Sequence, residues 1–364
     1  MKSILLTSTA LVAFAGAAAA DGHASVSHAF SAKIGYNTEV DGIGEDGFYW
    51  EGNLKTTASA ALDNGLTASA YFEVTISEDT VAFGGDDGGI DLGASDFLLS
   101  LESDTASLFF GDTGPAGNQH WVSAGDMNSD GFSTAADSAV LRGDVTFGSV
   151  DASIGYIVDD ASNTAEQLSF SAGAAFGAVS VALAYQEETT FADTSGDFNA
   201  DEVFGVSASG TFAGATVTVA YAENSTDATE STGIKIAYPF GPVTATAFYV
   251  EESGGANTDP NIGLNLAYAS GPIDVSLDLK DNQGTEKWKL EGSYDAGNGL
   301  TVLAGVLNEN EGNDADYYLG ATYDLGGGAE ALFVFAEDDD GDQGDEIGAG
   351  NYDPGVTIQV SFEF

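Results

Sequence analysis

The sequence holds no cysteine among its 364 residues. Disulfides, thiolate metal sites and cysteine nucleophiles are therefore excluded, and stability has to come from packing and backbone pairing. Positive charge is nearly as scarce: 8 Lys plus Arg stand against 58 Asp plus Glu, a formal net charge of −50. Such a surface repels nucleic acid, which is dropped as a partner. Only 6 prolines occur, and 43% hydrophobic with 11% aromatic residues argue against an acidic disordered chain. Past the first residues there is also no run of about 18 apolar residues, so no transmembrane helix is expected. A membrane role would fall to strands.

The first residues are the exception. Lys2 precedes an apolar stretch from Ile4 to Phe14 and a small-residue run ending Ala18-Ala19-Ala20. This reads as a secretory signal peptide over residues 1–20, too short and too soon followed by Asp21 to span a bilayer. Cleavage is placed after Ala20, with Ala24 as the alternative, leaving residues 21–364 as one domain.

What is abundant is alternation. Near the end of the chain Val356, Ile358, Val360, Phe362 and Phe364 share one face of a strand, while Thr357, Gln359, Ser361 and Glu363 share the other. The same period runs from Leu66 to Ile76 and recurs at Leu168 to Phe176, Val179 to Tyr185 and Trp288 to Tyr294. Short glycine-bearing turns join such runs, at Asn64-Gly65, Gly148-Ser149, Gly177-Ala178, Gly241-Pro242, Asn298-Gly299 and Gly326-Gly327-Gly328. The opposite ends are joined by longer acidic segments, among them Gln186 to Asp201 and Glu337 to Asp353. Short turns at one end and long loops at the other are expected of an outer-membrane barrel.

Hairpin by hairpin the count reaches twenty strands, from near Val26 to Phe364, with sixteen or eighteen left open. An even number returns both ends of the sheet to the short-turn side and permits closure. The fold class expected is thus all-β, a closed antiparallel transmembrane β-barrel. Phe147, Phe176, Phe212 and Phe240 fall at short-turn ends, and Tyr156, Tyr185, Tyr221 and Tyr249 about one strand length away, as two interfacial girdles would. A soluble β-sandwich also alternates, but so many consecutive hairpins exceed one ordinary sandwich.

With Phe30-Ser31-Ala32-Lys33-Ile34-Gly35-Tyr36 near its start and Tyr323-Asp324-Leu325-Gly326-Gly327-Gly328-Ala329 and Phe362-Glu363-Phe364 at its end, the chain resembles a known family, the general diffusion porins of α-proteobacteria of the Rhodobacter type. The first of these segments is similar to the first strand of that family, and the other two are similar to its last hairpin and closing strand. The resemblance implies an integral outer-membrane protein that passes ions and small hydrophilic solutes, a homotrimer without catalysis. It also implies outer-membrane lipid around the barrel and Phe364 as a signal to the outer-membrane assembly machinery.

It further implies a third long loop folded inward to narrow the lumen, here the stretch after Phe109-Phe110-Gly111-Asp112 as far as Ser138. Loop carboxylates would be Asp112, Asp126, Asp130 and Asp137, facing the wall bases Lys33, Lys55 and Arg142. Alternation adds Glu73, Glu102, Asp144, Lys235, Lys287, Lys289 and Glu291 to the lumen lining. The excess of acids there points to cation selectivity. Two departures stand out: the strand count exceeds the sixteen usual in the family, with extra hairpins between Ile234 and Val306, and the wall bases are few.

Two other functions fit the sequence less well. A barrel hydrolase lacks support, because of the three histidines His23 and His28 sit beside the cleavage site and His120 has no Gly-x-Ser-x-Gly partner. An acidic calcium-dependent adhesin could use Asp86, Asp87, Asp338 and Asp340 as Ca²⁺ ligands, although neither run has EF-hand spacing. No cofactor is otherwise expected.

Overall fold

The computed structural model describes residues 24–40, 45–77, 93–159, 162–193, 195–308, 315–337, 352 and 354–364. The segment read as a signal peptide and the calcium candidates Asp86, Asp87, Asp338 and Asp340 lie outside them. Twenty strands form one antiparallel sheet. In order they are β1 (Ala24–Val40), β2 (Glu45–Ala61), β3 (Thr67–Ser77), β4 (Gly93–Glu102), β5 (Ala106–Gly111), β6 (Ala139–Phe147) and β7 (Val150–Asp159). Then follow β8 (Thr164–Phe176), β9 (Val179–Gln186), β10 (Val203–Phe212), β11 (Ala215–Asn224), β12 (Thr229–Phe240), β13 (Val243–Ser253) and β14 (Asn261–Ser270). The last six are β15 (Ile273–Asn282), β16 (Thr285–Gly297), β17 (Leu300–Asn308), β18 (Asp316–Gly326), β19 (Ala329–Glu337) and β20 (Gly355–Glu363).

Each strand pairs with its chain neighbours, and β20 returns to β1 in register from Ser31↔Glu363 to Asn37↔Thr357. Two further bonds extend the seam: the Phe30 amide donates to the Phe364 carbonyl at 3.0 Å, and the Phe364 amide to the Phe30 carbonyl at 2.9 Å. The sheet is a closed barrel of twenty strands. No described helix is long and apolar enough to cross a membrane; the elements of the barrel wall are strands.

Alternation decides which way each side chain points. On β7, Ile154 is 56% exposed on the outer face while neighbouring Ser153 is 4% exposed on the inner one. Ile34, Leu99, Val206, Ile234, Leu319, Phe333 and Ile358 repeat the outward pattern on other strands. Conversely, Gln167, Gln186, Asn37 and Asn261 are among the largest fully buried side chains. This is the reverse of a soluble protein, whose oily side chains are gathered inside. Phe147, Phe176, Phe212 and Phe240 stand exposed at the short-turn end, and Tyr156 and Tyr249 near the other. There Tyr221 donates to Glu223 at 3.2 Å, Tyr249 to Glu251 at 2.6 Å, and Tyr317 to Glu337.

Most hairpins at the short-turn end have two-residue loops, the exceptions being β2–β3 and β4–β5. At Asn298-Gly299 both residues have positive φ, 54° and 83°, the primed turn that matches strand twist. Ala213-Gly214 adopts the same geometry with φ of 52° and 87°. Loop lengths at the opposite end are less uniform than the sequence suggests, since Gln283-Gly284 joins β15 to β16 there by a turn just as tight, with φ of 51° and 92°.

Alanine at a left-handed position carries a strain of roughly 1 kcal/mol that asparagine largely escapes. Ala213→Asn is therefore expected to stabilise the barrel by up to about 1 kcal/mol, read as a higher urea midpoint in detergent. An unchanged or lower midpoint counts against strain at this turn.

Candidate functional site

The site begins where β5 ends. Gly111 has φ of 126°, and a Cβ there would lie 2.2 Å from the Phe97 carbonyl oxygen. Only glycine lets the chain leave the wall this close to β4, and the Asp112 amide caps the exit by donating to Phe97 O at 2.7 Å. From Asp112 to Ser138 the chain forms a strap over the inner face of the barrel, touching strands from β6 to β15.

Its contacts map onto inward positions one after another. The 3₁₀ turn Ala116–Asn118 is fixed by Ser171 Oγ, which donates to Ala116 O at 2.5 Å. His120 Nε2 lies 3.1 Å from Ser153 Oγ. Trp121 covers Gly205, where any Cβ would be 2.5 Å from its ring, and Ala124 sits over Gly233. Gly125 lies against Phe248, which itself covers Gly263. With Met127, Ala220, Ala222 and Val250 these residues make a small apolar island on an otherwise polar wall. Phe132, Ala184 and Val203 form a second one, again bordered by Trp121.

Hydrogen bonds give the strap its register. The Asn128 amide donates to Glu252 Oε1 at 3.0 Å, the Ser129 amide to Ser231 Oγ at 2.9 Å, and the Ser133 amide to Gln186 Oε1 at 2.7 Å. On the return limb Thr134 donates to Asp197 O, while the Asp137 and Ser138 amides donate to the two Asp193 carboxylate oxygens at 2.9 and 3.2 Å. Burial works to raise the Asp193 pKa, but the hydrogen bonds from Ser195, Asp137 and Ser138 outweigh it and hold the carboxyl below its ordinary value. Burial pushes Asp130 the other way, above its ordinary value, against the opposing bond that Trp121 Nε1 donates at 3.0 Å.

The structure distributes the expected site residues unevenly. Asp112 and Lys55 are brought together through Tyr71, whose hydroxyl is 3.5 Å from Asp112 Oδ2 and whose ring lies under Lys55 Nζ at 4.0 Å. Asp126 meets a base that sequence reasoning left out of the constriction, Lys280, at 3.2 Å. Asp130 is folded back onto Trp121, and Asp137 is exposed at the strap's end. Arg142 is tucked beneath the strap: it donates to Gly114 O at 2.6 Å, pairs with Asp144 at 3.1 Å, and lies over the Phe109 ring. Lys33 pairs with Glu51 at 3.0 Å, away from the strap and near Glu330 and Glu363.

Among the other lining residues, Glu73 is the register partner of Lys55, and Glu102 accepts from Ser100 at 2.7 Å. Lys289 is buried against Glu291 at 2.9 Å, which also accepts from Tyr318. Lys235, Phe248, Gly263, Lys280 and Lys287 occupy one cross-strand row. Phe248, Glu252, Asn261 and the inward glycines were missed from sequence. The glycines left a signal, since Gly205, Gly233 and Gly263 interrupt inward positions in mid-strand. Among the described residues no three His, Cys, Asp or Glu side chains gather to hold a metal.

A closed barrel with an oily exterior, a polar interior and an internal strap is an integral outer-membrane channel, through which solutes pass by passive diffusion and no reaction is catalysed. The chain belongs to the Gram-negative porin family, whose model matches residues 7–343. Among solved structures, a multiple variant of the Rh. blastica porin aligns with TM-score 0.46 at 14% identity, over 93% of this chain and 100% of that one. A triple variant of the Rhodopseudomonas blastica porin aligns with TM-score 0.45 at 14% identity, over 94% and 100%. No curated protein matches the sequence.

The Asp193 clip is testable. A carboxylate with depressed folded pKa contributes above the unfolded value, and the contribution is lost as pH falls through the folded one. Amide exchange at Asp137 and Ser138, corrected for intrinsic rate, is expected to accelerate in Asp193→Ala and, in the unmodified protein, at pH below the usual aspartate range. Protection that persists in the variant excludes the clip.

Proposed function

We propose that this channel is a general-diffusion pore with a preference for cations, constricted by the strap of residues 112–138 and assembled as a homotrimer. The observation that carries the preference is the disposition of its bases. Seven lysine and arginine side chains fall within the described residues, and four of them, Lys33, Arg142, Lys280 and Lys289, have a carboxylate within 3.2 Å. Lys55 lies on the Tyr71 ring. Inward-facing carboxylates, among them Glu73, Asp96, Glu102, Asp144, Asp151, Asp274, Asp278, Glu330 and Glu363, outnumber what these bases neutralise. A lining of net negative charge raises the local concentration of cations and lowers that of anions.

The constriction reading is supported by the strap's inward position and its many bonds to the wall. The loop carboxylate open to passing solute beside the wall in this reading is Asp112, with Asp126 held by Lys280. Reversal potentials across a planar bilayer under a potassium chloride gradient are expected to take the sign of potassium permeation, and chloride preference overturns the proposal.

Trimer formation, with lipid around the remaining outer face, is supported by the family resemblance and the broad apolar exterior. Residues 1–20 are read as an export signal removed from the mature chain, and Phe364, stacked on Phe30 at 6.4 Å between centroids, as the mark read by the assembly machinery. Mass measurement of protein extracted from outer membranes in detergent is expected to give three copies of a chain beginning at Asp21. Monomers alone count against the trimer, and an uncleaved chain against the signal.

A further inference from the structure

Beneath the strap two side-chain oxygens, Asn261 Oδ1 and Asn282 Oδ1, are shut away from solvent without a hydrogen-bond donor, and a third, Asp126 Oδ2, has only the Lys280 ammonium. They lie on touching elements. Asn261 and Asn282 are register partners across β14 and β15, and Asn261 Nδ2 donates to the Asp126 carbonyl at 2.8 Å. The Asn261 amide cannot be turned to relieve its oxygen. Its Nδ2 also faces Asn128 Oδ1 at 3.1 Å and Glu252 Oε1 at 3.2 Å, so exchanging the two ends would set an oxygen against three acceptors. Asn261 is 1% exposed, and a polar atom so deeply buried is normally satisfied.

What satisfies such oxygens is either water or a cation, and the charge around them favours the cation. Asp126 and the 5%-exposed Glu252 flank the group. Glu252 takes its bonds from the Asn128 amide, Ser231 Oγ and Asn261 Nδ2, all of them neutral donors. Asp130 is close enough on the same strap to feel the Glu252 charge. The single base in contact is Lys280, whose Nζ lies 3.2 Å from Asp126 Oδ2 as an ion pair without hydrogen-bond alignment. Lys287, its cross-strand partner, and Lys235 lie farther along the row. One carboxylate and two amide carbonyl oxygens, with negative charge behind them, are the hard-donor mixture that calcium accepts in its flexible coordination shell.

We propose that Asp126 Oδ2, Asn261 Oδ1 and Asn282 Oδ1 form a site for a calcium-type divalent cation, with water completing the shell, which fastens residues 126–128 of the strap to β14 and β15. Lys280 is the built-in competitor. Its ammonium and the divalent ion claim the same Asp126 oxygen, so binding turns Lys280 away from Asp126.

The test is calorimetric titration of the detergent-solubilised barrel with calcium chloride, in about 0.15 M salt to screen loop carboxylates. Asn282→Leu leaves the net charge unchanged and is expected to lose one binding equivalent or weaken it roughly tenfold or more. Lys280→Met is expected to tighten that equivalent several-fold, and Asn282→Asp to tighten it further. Equal stoichiometry and affinity in the unmodified protein and Asn282→Leu overturn the site in favour of ordered water. Should Asn282→Leu lose the heat-dependent gel mobility of a folded barrel, Asn282→Asp decides: unchanged calcium affinity there overturns the proposal.

Discussion

In hydrocarbon, a backbone amide or carbonyl without a partner costs several kcal/mol, and the pairing of β20 with β1 is what removes the last such row. The rest of the molecule follows from that seam. An open sheet would present two edges to lipid, so the strand count must be even and the ends must meet, as the pairing from Ser31↔Glu363 to Asn37↔Thr357 achieves. Once closed, a sheet of this width cannot be filled by its own inward side chains. Its outer face takes the apolar half of each alternating strand, and its inner face is left with Ser, Thr, Asn, Gln and carboxylates that need partners other than a hydrophobic core.

The strap supplies many of those partners. It is polar in sequence, and it is held by specific bonds as well as by burial: Gln167, Gln186, Ser231, Glu252 and Asn261 each point inward from a different strand and each bonds to the strap or to the loop beside it. Apolar contact is confined to islands around Trp121 and Phe248, made where Gly205, Gly233 and Gly263 let the strap approach the backbone. Direction comes from Gly111, which turns the chain inward before the first of these contacts is made. The strap's position therefore depends on complementary heights of small and polar residues on ten neighbouring strands, a condition that a rigid wall can meet and a loose sheet cannot.

Strands, hairpin turns and closure were legible because each is written in local pattern. Period-two alternation, Asn-Gly and single glycines between runs, and a matching closing strand need no knowledge of distant residues. The start of the strap was legible too, at Phe110-Gly111-Asp112. Its landing points were not, since Asp126 with Lys280, Ser133 with Gln186, and Asn128 with Glu252 are joined only by the register of strands far apart in sequence. The pair Arg142 and Asp144 could have been read, because residues two apart on a strand share a face, and that pairing takes Arg142 out of a free basic cluster. The tight Gln283-Gly284 turn at the loop end carried a readable Gly signal that was outweighed by the expectation of long loops on that side.

The placement of charge follows from the same geometry. Lys289 with Glu291 and Arg142 with Asp144 are neighbours on one face of one strand, and Lys33 with Glu51 are register partners, so each base is neutralised within the wall itself. A base bound in this way gives a dipole whose field falls off faster than that of a bare charge. The acids left over belong to many strands and add along the channel. The proposed preference for cations therefore rests on the sum of a dispersed lining, whereas a constriction with opposed clusters would rest on a few residues at one level. In such a lining, removing any single carboxylate changes selectivity little. The exception is the row of Lys235, Lys280 and Lys287, where positive charge is gathered at one height and Lys280 alone has a carboxylate within ion-pair distance among the described residues.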